Sequence, residues 1–432
     1  MLITDRPAAD VDALRTRLHG EVFGPTDAGY DAARRPWNLA VDQRPAAVAF
    51  PRTDADVQEI VDHAREAGLK VTPQATGHGA RATPLEDTIL ICTKHMRGVR
   101  IDPRNRRARV RAGAQWQDVT APAAIHGLAP LAGSAPDVGV VGYTLGGGVS
   151  WLGRAHGLAC NSVTAIELVT PDGQHVRTDR DTDPELFWAL RGGSTHPIGI
   201  VTALEFTLYP VEELHGGALV FAPDRAEEVF AAWREWTRTA PDTVTSIARL
   251  VTPPGQPTMV LIEAAILGDP SVIDPLRALG PVADAIRPMR PDELTEIHND
   301  PKDPSAGMSG HRTLSQLPDG AISAVAAYAG APLVSVEIRH LGGALGRGSV
   351  CHGASNWLRG EYALFAVGIV PTAEAAMAVD AALTRLTEAL DPWDTGRAIF
   401  NFADKPAACF DGYTVHRLRA LKGRIDPENA IH

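Results

Sequence analysis

Two glycine-rich stretches, each following a predicted strand, restrict the fold of this chain more than any other feature. The first is Gly77-His78-Gly79, and the second runs from Gly133 to Gly148 and holds six glycines. Glycine tolerates positive φ and lets the backbone come close to a ligand, and successive backbone amides arranged in this way bind phosphate groups without lysine. One such stretch alone would indicate a tight turn. Two of them in the same half of the chain favour a dinucleotide site.

The common nucleotide and hydrolase motifs do not fit these stretches. Gly139, Gly142 and Gly146 lack the GxGxxG spacing, and no lysine follows a glycine, so neither a Rossmann fingerprint nor a P-loop is predicted. The HExxH and GxSxG motifs are absent as well. The sequence therefore indicates neither a metal site nor a serine hydrolase.

Composition and length narrow the choice of partner and compartment. The 432 residues predict two or three domains, because a single core rarely grows past about 250–300 residues. A net charge of −11 disfavours nucleic acids and anionic membranes. No apolar run approaches the roughly 20 residues that span a bilayer, and residues 1–6 lack the pattern of a signal peptide. Cys92, Cys160, Cys351 and Cys409 are far apart, so we expect free thiols and a cytoplasmic protein. The oligomeric state is not indicated.

Helix and strand signals alternate irregularly in the first half of the chain. Thr53 and Asp56 have the spacing of a capping box, which predicts the start of a helix. A strand pair is predicted over 99–116, and Asp172-Gly173 predicts a β-hairpin turn. Asp183 before Pro184 is typical of a helix N-terminus. This pattern favours an α+β fold over a doubly wound sheet.

The second half predicts an antiparallel sheet covered by helices on one face. Helices are expected over 222–239 and 372–390, and strands over 246–251, 258–265, 334–340 and 362–370. The expected domains are a glycine-loop domain over 1–210, with its core from about residue 40, a second domain over 211–390 and a closing segment over 391–432 that returns to the first domain.

Taken together, these segments resemble the berberine bridge enzyme and 6-hydroxynicotine oxidase branch of the vanillyl-alcohol oxidase flavoproteins, which have a PCMH-type FAD-binding domain. The resemblance covers nearly the whole chain and rests on residues 77–79, 138–148, 186–193, 199–202, 401–404 and 426–429. It implies a two-lobed α+β flavoenzyme in which a substrate domain covers the FAD-binding domain.

The resemblance also implies which residues hold the cofactor. His78 stands where family members attach the flavin, and the second attachment cysteine is replaced by Ala135, so one covalent bond, through His78, is expected. The implied FAD-binding residues are Gln74, Ala75, Thr76, Gly77, His78, Gly79, Ser134, Val138, Gly139, Gly142, Tyr143, Thr144, Gly147, Gly148, Gly199, Ile200, Val201 and Asn401. The chain departs from the family pattern at Tyr143, where many relatives have histidine, and at 194–198. Ile399 replaces the tyrosine of the family's sugar oxidases, which disfavours an oligosaccharide substrate.

The expected reaction is hydride transfer from a small organic substrate, an alcohol or an amine, to the flavin, with reoxidation by O2 to hydrogen peroxide. Val138 occupies the position that resembles the family's oxygen gatekeeper, and a valine there favours an oxidase. Three alternatives stay open at this point: a dehydrogenase that uses another electron acceptor, a non-redox cyclase or lyase of the same fold, and a flavin-binding protein without catalysis.

Candidate catalytic residues come from the predicted strand over 334–340. Alternation places Glu337 and Arg339 on its polar face, which in the family faces the flavin. A cross-strand ion pair is the alternative interpretation of these two residues, and it is slightly favoured over a catalytic role. His340 and Tyr362 are further candidates, since a neutral histidine or tyrosine near the ring could act as a base.

Overall fold

A computed structural model describes residues 10–253, 255–328, 330–405 and 407–432. The sequence motif considered at residues 1–6 lies outside this range. No helix in the described ranges combines the length and apolarity needed to cross a membrane.

The chain begins with a four-stranded sheet that carries the first glycine loop at its edge. Its strands are β1 (Glu21–Phe23), β2 (Ala47–Phe50), β3 (Lys70–Gln74) and β4 (Thr88–Cys92), in the order β1-β2-β4-β3, and its helices are α1 (Val11–Arg17), α2 (Tyr30–Ala33) and α3 (Asp54–Glu66). Strands β2, β3 and β4 are parallel. The predicted capping box starts α3, with Thr53 accepting from the Asp56 backbone amide and Asp56 accepting from the Thr53 amide. The buried face of α3 then packs Val57, Ile60 and Val61 on the sheet.

A five-stranded antiparallel sheet forms the second layer of this lobe. Its strands are β5 (Val99–Asp102), β6 (Arg107–Arg111), β8 (Val163–Val169), β9 (His175–Asp179) and β10 (Ile200–Thr207), while β7 (Leu128–Ala129) pairs with β11 (Tyr209–Pro210). Its helices are α4 (Trp116–Ala124), α5 (Val140–Leu145), α6 (Gly153–His156) and α7 (Pro184–Leu190). Val169 and Ile200 share a core with α3, so the two sheets of the lobe are packed together.

The second lobe is built on one large antiparallel sheet. Its strands are β12 (Leu214–Phe221), β13 (Val244–Val251), β14 (Met259–Leu267), β15 (Ala283–Asp284), β16 (Arg287–Pro288), β17 (Gly307–Leu314), β18 (Ser335–His340) and β19 (Tyr362–Ile369), in the order β15-β12-β14-β13-β18-β19-β17 with β16 beside β12. Its helices are α8 (Ala226–Thr237), α9 (Asp274–Arg277), α10 (Asp319–Ala326) and α11 (Ala373–Leu390).

The two faces of the large sheet have different neighbours. Val336 and Ile338 of β18 lie in a core with Trp233 of α8 and Leu386 of α11. On the opposite face, Ile247 packs with side chains of the first lobe such as Trp151. Because side chains alternate along a strand, the polar positions of β13, β14 and β18 face the first lobe.

The C-terminal segment returns to the first lobe. Helix α12 (Gly412–Ile425) contributes Leu418 and Leu421 to the core around the five-stranded sheet. Ile431 is buried and forms a parallel bridge with Val71 of β3. This path agrees with the expected closing segment, while the domain boundaries themselves stay a prediction.

The predicted α+β class is confirmed, and most differences lie at the ends of elements. Trp116 starts α4 and does not end the strand pair, and the helix predicted from residue 222 begins at Ala226, after a 3-10 turn. Strands β12 and β17 and helix α12 were not predicted. Strand β17 begins Gly307-Met308-Ser309-Gly310, and so many small or polar residues conceal the alternation of a strand.

Candidate active site

The first glycine loop leaves β3 and passes close to the Pro36-Trp37 backbone. Gly77 has φ +83°, and a Cβ atom there would lie 2.7 Å from Pro36 Cα and 2.9 Å from Trp37 N. Only glycine fits without displacing this backbone. The Trp37 amide donates to the Thr76 carbonyl at 3.0 Å, which fixes the path of the loop.

His78 follows this glycine, and only one of its two ring nitrogens has a hydrogen-bond partner among the described residues. Its ring stacks on Trp37 at 4.3 Å between centroids, and Nδ1 lies 2.8 Å from Thr76 Oγ1. Nε2 is buried without a hydrogen-bond partner among the described residues. It lies 3.4 Å from Asp137 Oδ2, a carboxylate oxygen that accepts from Trp37 Nε1. Burial lowers the pKa of His78 although Asp137 opposes the shift, so the imidazole is neutral at pH 7.

The second glycine loop touches the first. Gly139 precedes α5, and a Cβ atom there would lie 2.9 Å from the Ala75 Cβ. The loop turns at Gly147 and Gly148, which have φ of +115° and +78°. At Gly148 a Cβ atom would come within 2.5 Å of the Tyr143 ring. The glycines therefore let two loops and an aromatic ring occupy one small volume.

Asn401 braces the second loop through its side-chain amide. Its Oδ1 accepts from the Gly148 amide at 2.9 Å, and its Nδ2 donates to the Tyr143 carbonyl at 3.1 Å. A neighbouring brace, Arg81, stacks on Phe400 at 4.2 Å and donates to the carbonyls of Phe400 and Ala403. The structure thus places Asn401 at the predicted cofactor site, but as a support of the loop backbone. Arg81 carries no sequence signal beyond its nearness to His78.

The other predicted cofactor residues fall into two groups. Gly199 directly precedes β10, which begins with Ile200 and Val201, and it packs against the neighbouring strand, where a Gly199 Cβ would meet Leu168 at 2.7 Å. Ser134 and Val138 belong to the second loop, and the Ser134 hydroxyl donates to Asp300 at 2.8 Å.

Several buried polar atoms at the two loops have no hydrogen-bond partner among the described residues: His78 Nε2, Asp137 Oδ1, Tyr143 Oη and Thr144 Oγ1. Buried polar groups are nearly always paired in native proteins. Gly79 and Gly142 have open space where a side chain would begin. Unpaired polar atoms and glycines that face open space fit a large polar group such as a flavin dinucleotide held between the loops.

The polar face of the large sheet holds a buried cluster of charges opposite these loops, the sheet cluster, formed by Arg249, Glu263, His298, Glu337 and Arg339. His298 Nδ1 lies 2.5 Å from Glu263 Oε2, and its Nε2 makes an ion-pair contact of 2.7 Å with Glu337 Oε2 that lacks hydrogen-bond geometry. Arg249 donates to Glu263 at 3.1 Å and to the His298 carbonyl at 2.8 Å. Arg339 Nε donates to Glu337 Oε1 at 2.6 Å.

These contacts decide the charge of each group. Burial alone would lower the pKa of His298, but Glu263 and Glu337 raise it to about 9, so the ring is an imidazolium at pH 7. Burial favours protonated Glu337, yet Arg339 and His298 together hold the pKa of its carboxyl well below the usual range. Glu337 is therefore ionised and a weak base, because an effective general base has a pKa near the working pH.

The structure separates the four predicted catalytic residues. Glu337 and Arg339 are together on the face toward the glycine loops, where they form an ion pair within one strand and not across two strands. His340 and Tyr362 lie on the opposite, helix-covered face. His340 is 3.0 Å from an Arg154 nitrogen, and the Tyr362 hydroxyl is 2.7 Å from Thr237 Oγ1.

Sequence reasoning missed three members of the sheet cluster. Glu263 interrupts an otherwise apolar strand, and Arg249 interrupts the apolar run 247–251, and a charged residue inside such a run was the available signal. His298 comes from a loop, so no periodicity points to it. Only the fold brings it between two carboxylates.

Comparison with known sequences identifies the first lobe. Residues 45–179 match the family model described as FAD binding domain. The (R)-6-hydroxynicotine oxidase of Paenarthrobacter nicotinovorans is 34% identical over 212 residues, which cover 49% of this chain and 46% of that protein. The chain thus spans about half the length of the curated relatives that it matches.

Solved structures share the whole fold. The 6-hydroxy-D-nicotine oxidase of Arthrobacter nicotinovorans superposes with a TM-score of 0.85 at 24% identity, covering 96% of both chains. The berberine bridge enzyme-like protein 1 of Physcomitrella patens has a TM-score of 0.86 at 20% identity, covering 98% of this chain and 97% of that one. Residues 45–179 therefore match an FAD binding domain, and the chain as a whole shares the fold of 6-hydroxy-D-nicotine oxidase and the berberine bridge enzyme-like protein.

Proposed function

We propose that this protein is an FAD-dependent oxidase that binds its flavin covalently through His78, oxidises a small organic alcohol or amine and passes the electrons to O2. The observation that carries the proposal is His78 Nε2. This nitrogen is buried, lacks a hydrogen-bond partner among the described residues and lies where the two glycine loops meet. A buried polar atom without a partner is costly, so a bond to a ligand gives it a role.

The surroundings of His78 favour attachment through Nε2. Stacking on Trp37 and the contact of Nδ1 with Thr76 hold the ring in one orientation. The lowered pKa leaves the ring neutral, and a neutral imidazole nitrogen has the lone pair that bond formation needs. Asp137, 3.4 Å away, can stabilise positive charge on the ring.

The flavin would accept the hydride, while the protein orients the reactants and controls charge. Asn401 holds the second loop in shape, and Tyr143 provides a buried hydroxyl whose pKa is raised by burial, so it donates as a neutral phenol. Glu337 contributes a fixed negative charge and Arg339 a fixed positive charge on the substrate side. The proposal does not include His340 and Tyr362, because both side chains lie on the helix-covered face.

Val138 supports an oxidase over a dehydrogenase. It is half-buried in the second loop, and its carbonyl accepts from the Trp116 amide at 3.0 Å, which fixes its position. In the same fold, at 17% identity and a TM-score of 0.83, the grass pollen allergen Phl p 4 has glucose dehydrogenase activity, and an isoleucine-to-valine variant of it is a glucose oxidase. By the family resemblance, valine is the residue that lets oxygen reach the flavin.

The proposed compartment is a reducing one, the cytoplasm. The four cysteines are free thiols, two of them buried. Burial raises the pKa of both Cys92 and Cys160 to about 12, so these thiols are unreactive.

The first test is the absorbance spectrum of the purified protein before and after acid precipitation. We expect a yellow precipitate with a colourless supernatant from the unmodified protein, and flavin released into the supernatant from His78→Ala. His352→Ala, a change at a histidine that contacts Asn356 in a surface loop, is the control and should keep the flavin in the precipitate.

The other outcomes decide between the alternatives. Flavin that leaves the unmodified protein completely would contradict the covalent bond but not the FAD site. A protein that neither contains nor takes up FAD would contradict the whole proposal. A flavin that dithionite reduces and that air reoxidises only over hours would indicate a dehydrogenase or a non-catalytic protein. Substrate turnover without flavin reduction would indicate a non-redox reaction.

A further inference from the structure

The guanidinium of Arg339 is held at one nitrogen only. Its Nε donates to Glu337, and neither Nη atom has a hydrogen-bond partner among the described residues. An arginine side chain has five N–H donors, so four of them are available. The side chain is 12% exposed, and its Nη atoms are not among the fully buried atoms, so a ligand that enters the site can reach them.

Arg339 lies where three parts of the molecule meet. It projects from β18 of the large sheet, and its guanidinium stacks on Phe402 of the C-terminal segment at 4.9 Å. It is also near enough to the second glycine loop for its charge to act on the Tyr143 hydroxyl. The available donors are therefore on the side of the sheet that faces the proposed flavin site.

Arg339 is the cation of the sheet cluster with the fewest charge partners. The cluster contains three cations, Arg249, His298 and Arg339, and two anions, Glu263 and Glu337. Asp300, partly exposed and bound by the Ser134 hydroxyl, lies 3.9 Å from His298 and supplies a third negative charge at that end of the cluster. Among the described residues Arg339 pairs with Glu337 alone, so its two Nη groups can take an anionic ligand.

Glu337 is positioned to hold this arginine. Its Oε1 binds Arg339 Nε, and its Oε2 contacts His298, which Glu263 fixes from the other side. This arrangement prevents rotation of the Glu337 carboxylate and, through it, of the guanidinium. The plane of the guanidinium is thus fixed before a ligand arrives, which reduces the entropy lost on binding.

We propose that Arg339 is the specificity-determining residue of the site and binds an anionic oxygen of the substrate, most simply a carboxylate, so that the substrate of the proposed oxidase is an organic acid that also carries the oxidised alcohol or amine. This inference rests on the proposed function. Glu337, His298 and Glu263 are positioning residues for Arg339. A carboxylate matches the two Nη donors in a fork-like pair, a contact stronger than a neutral hydrogen bond.

The test compares benzoate with benzamide, two probes of nearly the same shape that differ in charge. Binding is followed by the change in the visible flavin spectrum and, independently, by tryptophan fluorescence, because Trp151 lies 6.2 Å from the His298 ring. We expect benzoate to bind at least tenfold more tightly than benzamide, since only the carboxylate forms a charge-assisted pair with the guanidinium. Arg339→Met should weaken benzoate binding at least tenfold and leave benzamide binding nearly unchanged.

Matched variants distinguish a specific contact with the Arg339 guanidinium from a general effect of positive charge. Arg347→Met removes an exposed arginine that pairs with Asp242 and should change neither affinity. Arg339→Lys keeps the charge but not the fork and should recover only part of the benzoate affinity. Equal affinities for benzoate and benzamide, or an unchanged benzoate affinity in Arg339→Met, would overturn the proposal.

Two further outcomes distinguish this proposal from the proposed function. If Arg339→Met shifts the flavin spectrum but not benzoate affinity, the arginine binds the cofactor and not the substrate, which overturns the proposal. If the protein contains no flavin, the proposed function fails, and the fluorescence titration with benzoate and benzamide decides whether the anion site exists. Circular dichroism of each variant distinguishes a lost site from a lost fold.

Discussion

The glycine loops and the large sheet face the same site but prepare it in opposite ways. At the loops, buried polar atoms of His78, Tyr143 and Thr144 have no partner among the described residues. At the sheet, buried charges of Glu263, His298 and Glu337 are fixed by one another. The loops thus need a ligand to complete them, whereas the sheet is already organised. Under the proposed function, the loops form a cofactor side that is built around a bound group, and the sheet forms a substrate side that is built around fixed charges.

Breaking the sheet cluster should have the largest effect on stability. Glu263→Leu removes the carboxylate that pairs with both His298 and Arg249, and it leaves buried positive charge without compensation. We expect the free energy of unfolding to fall by about 3–5 kcal/mol, the usual cost of removing one partner of a buried ion pair. Urea unfolding followed by tryptophan fluorescence measures the change.

An exposed ion pair provides the control for this variant. Asp380→Ala removes the partner of the exposed Lys405 at the surface and should cost no more than about 1 kcal/mol. A loss of similar size in the two variants would mean that the sheet cluster is no more organised than the surface, and the contrast with the loops would disappear.

The pH dependence of stability tests the charge of the cluster more finely. The pKa of His298 is raised to about 9, above the value of about 6.5 in an unfolded chain. The group binds its proton more tightly when folded, so its stabilising contribution is complete below pH 6.5 and is lost as the pH rises through 9. The loss should amount to roughly 3 kcal/mol, and His298→Gln should remove this part of the pH dependence.

His311, on the same sheet, should contribute to stability with the opposite pH dependence. Burial lowers its pKa to about 4, and its Nε2 accepts from the Ile399 amide at 3.1 Å. The neutral His311 ring therefore stabilises the fold above pH 6.5, and this stabilisation is lost as the pH falls toward 4. His298→Gln should therefore leave the acid side of the stability profile unchanged. A profile of the variant that changes equally on both sides would contradict the assignment of the alkaline loss to His298.

The same contrast explains what the sequence could predict. The glycine loops and the polar face of β18 follow from local rules, because glycine content and strand alternation are visible in a short window. The role of His78 follows from the family resemblance and not from these rules. His298 was missed because its neighbours Glu263 and Glu337 are distant in sequence and adjacent only in the sheet. His340 and Tyr362 were selected by residue type alone, and the register of β18 with β19 places both on the helix-covered face.

The smallest expected effect concerns the orientation of His78 on the loop side. Thr76→Val keeps the size of the side chain but removes the hydroxyl that lies 2.8 Å from His78 Nδ1. The ring then loses one hydrogen bond, about 1 kcal/mol, while stacking on Trp37 remains. We expect covalent attachment of the flavin to be slower and incomplete. It is measured by acid precipitation of samples taken over time, as the ratio of flavin absorbance in the precipitate to that in the supernatant.

Thr83→Val, at an exposed position of the segment after the loop, is the control and should match the unmodified protein. If Thr76→Val attached its flavin as fast and as completely as the unmodified protein, stacking on Trp37 alone would orient the His78 ring. The glycine-loop side would then depend on packing and not on the hydrogen bond to His78 Nδ1.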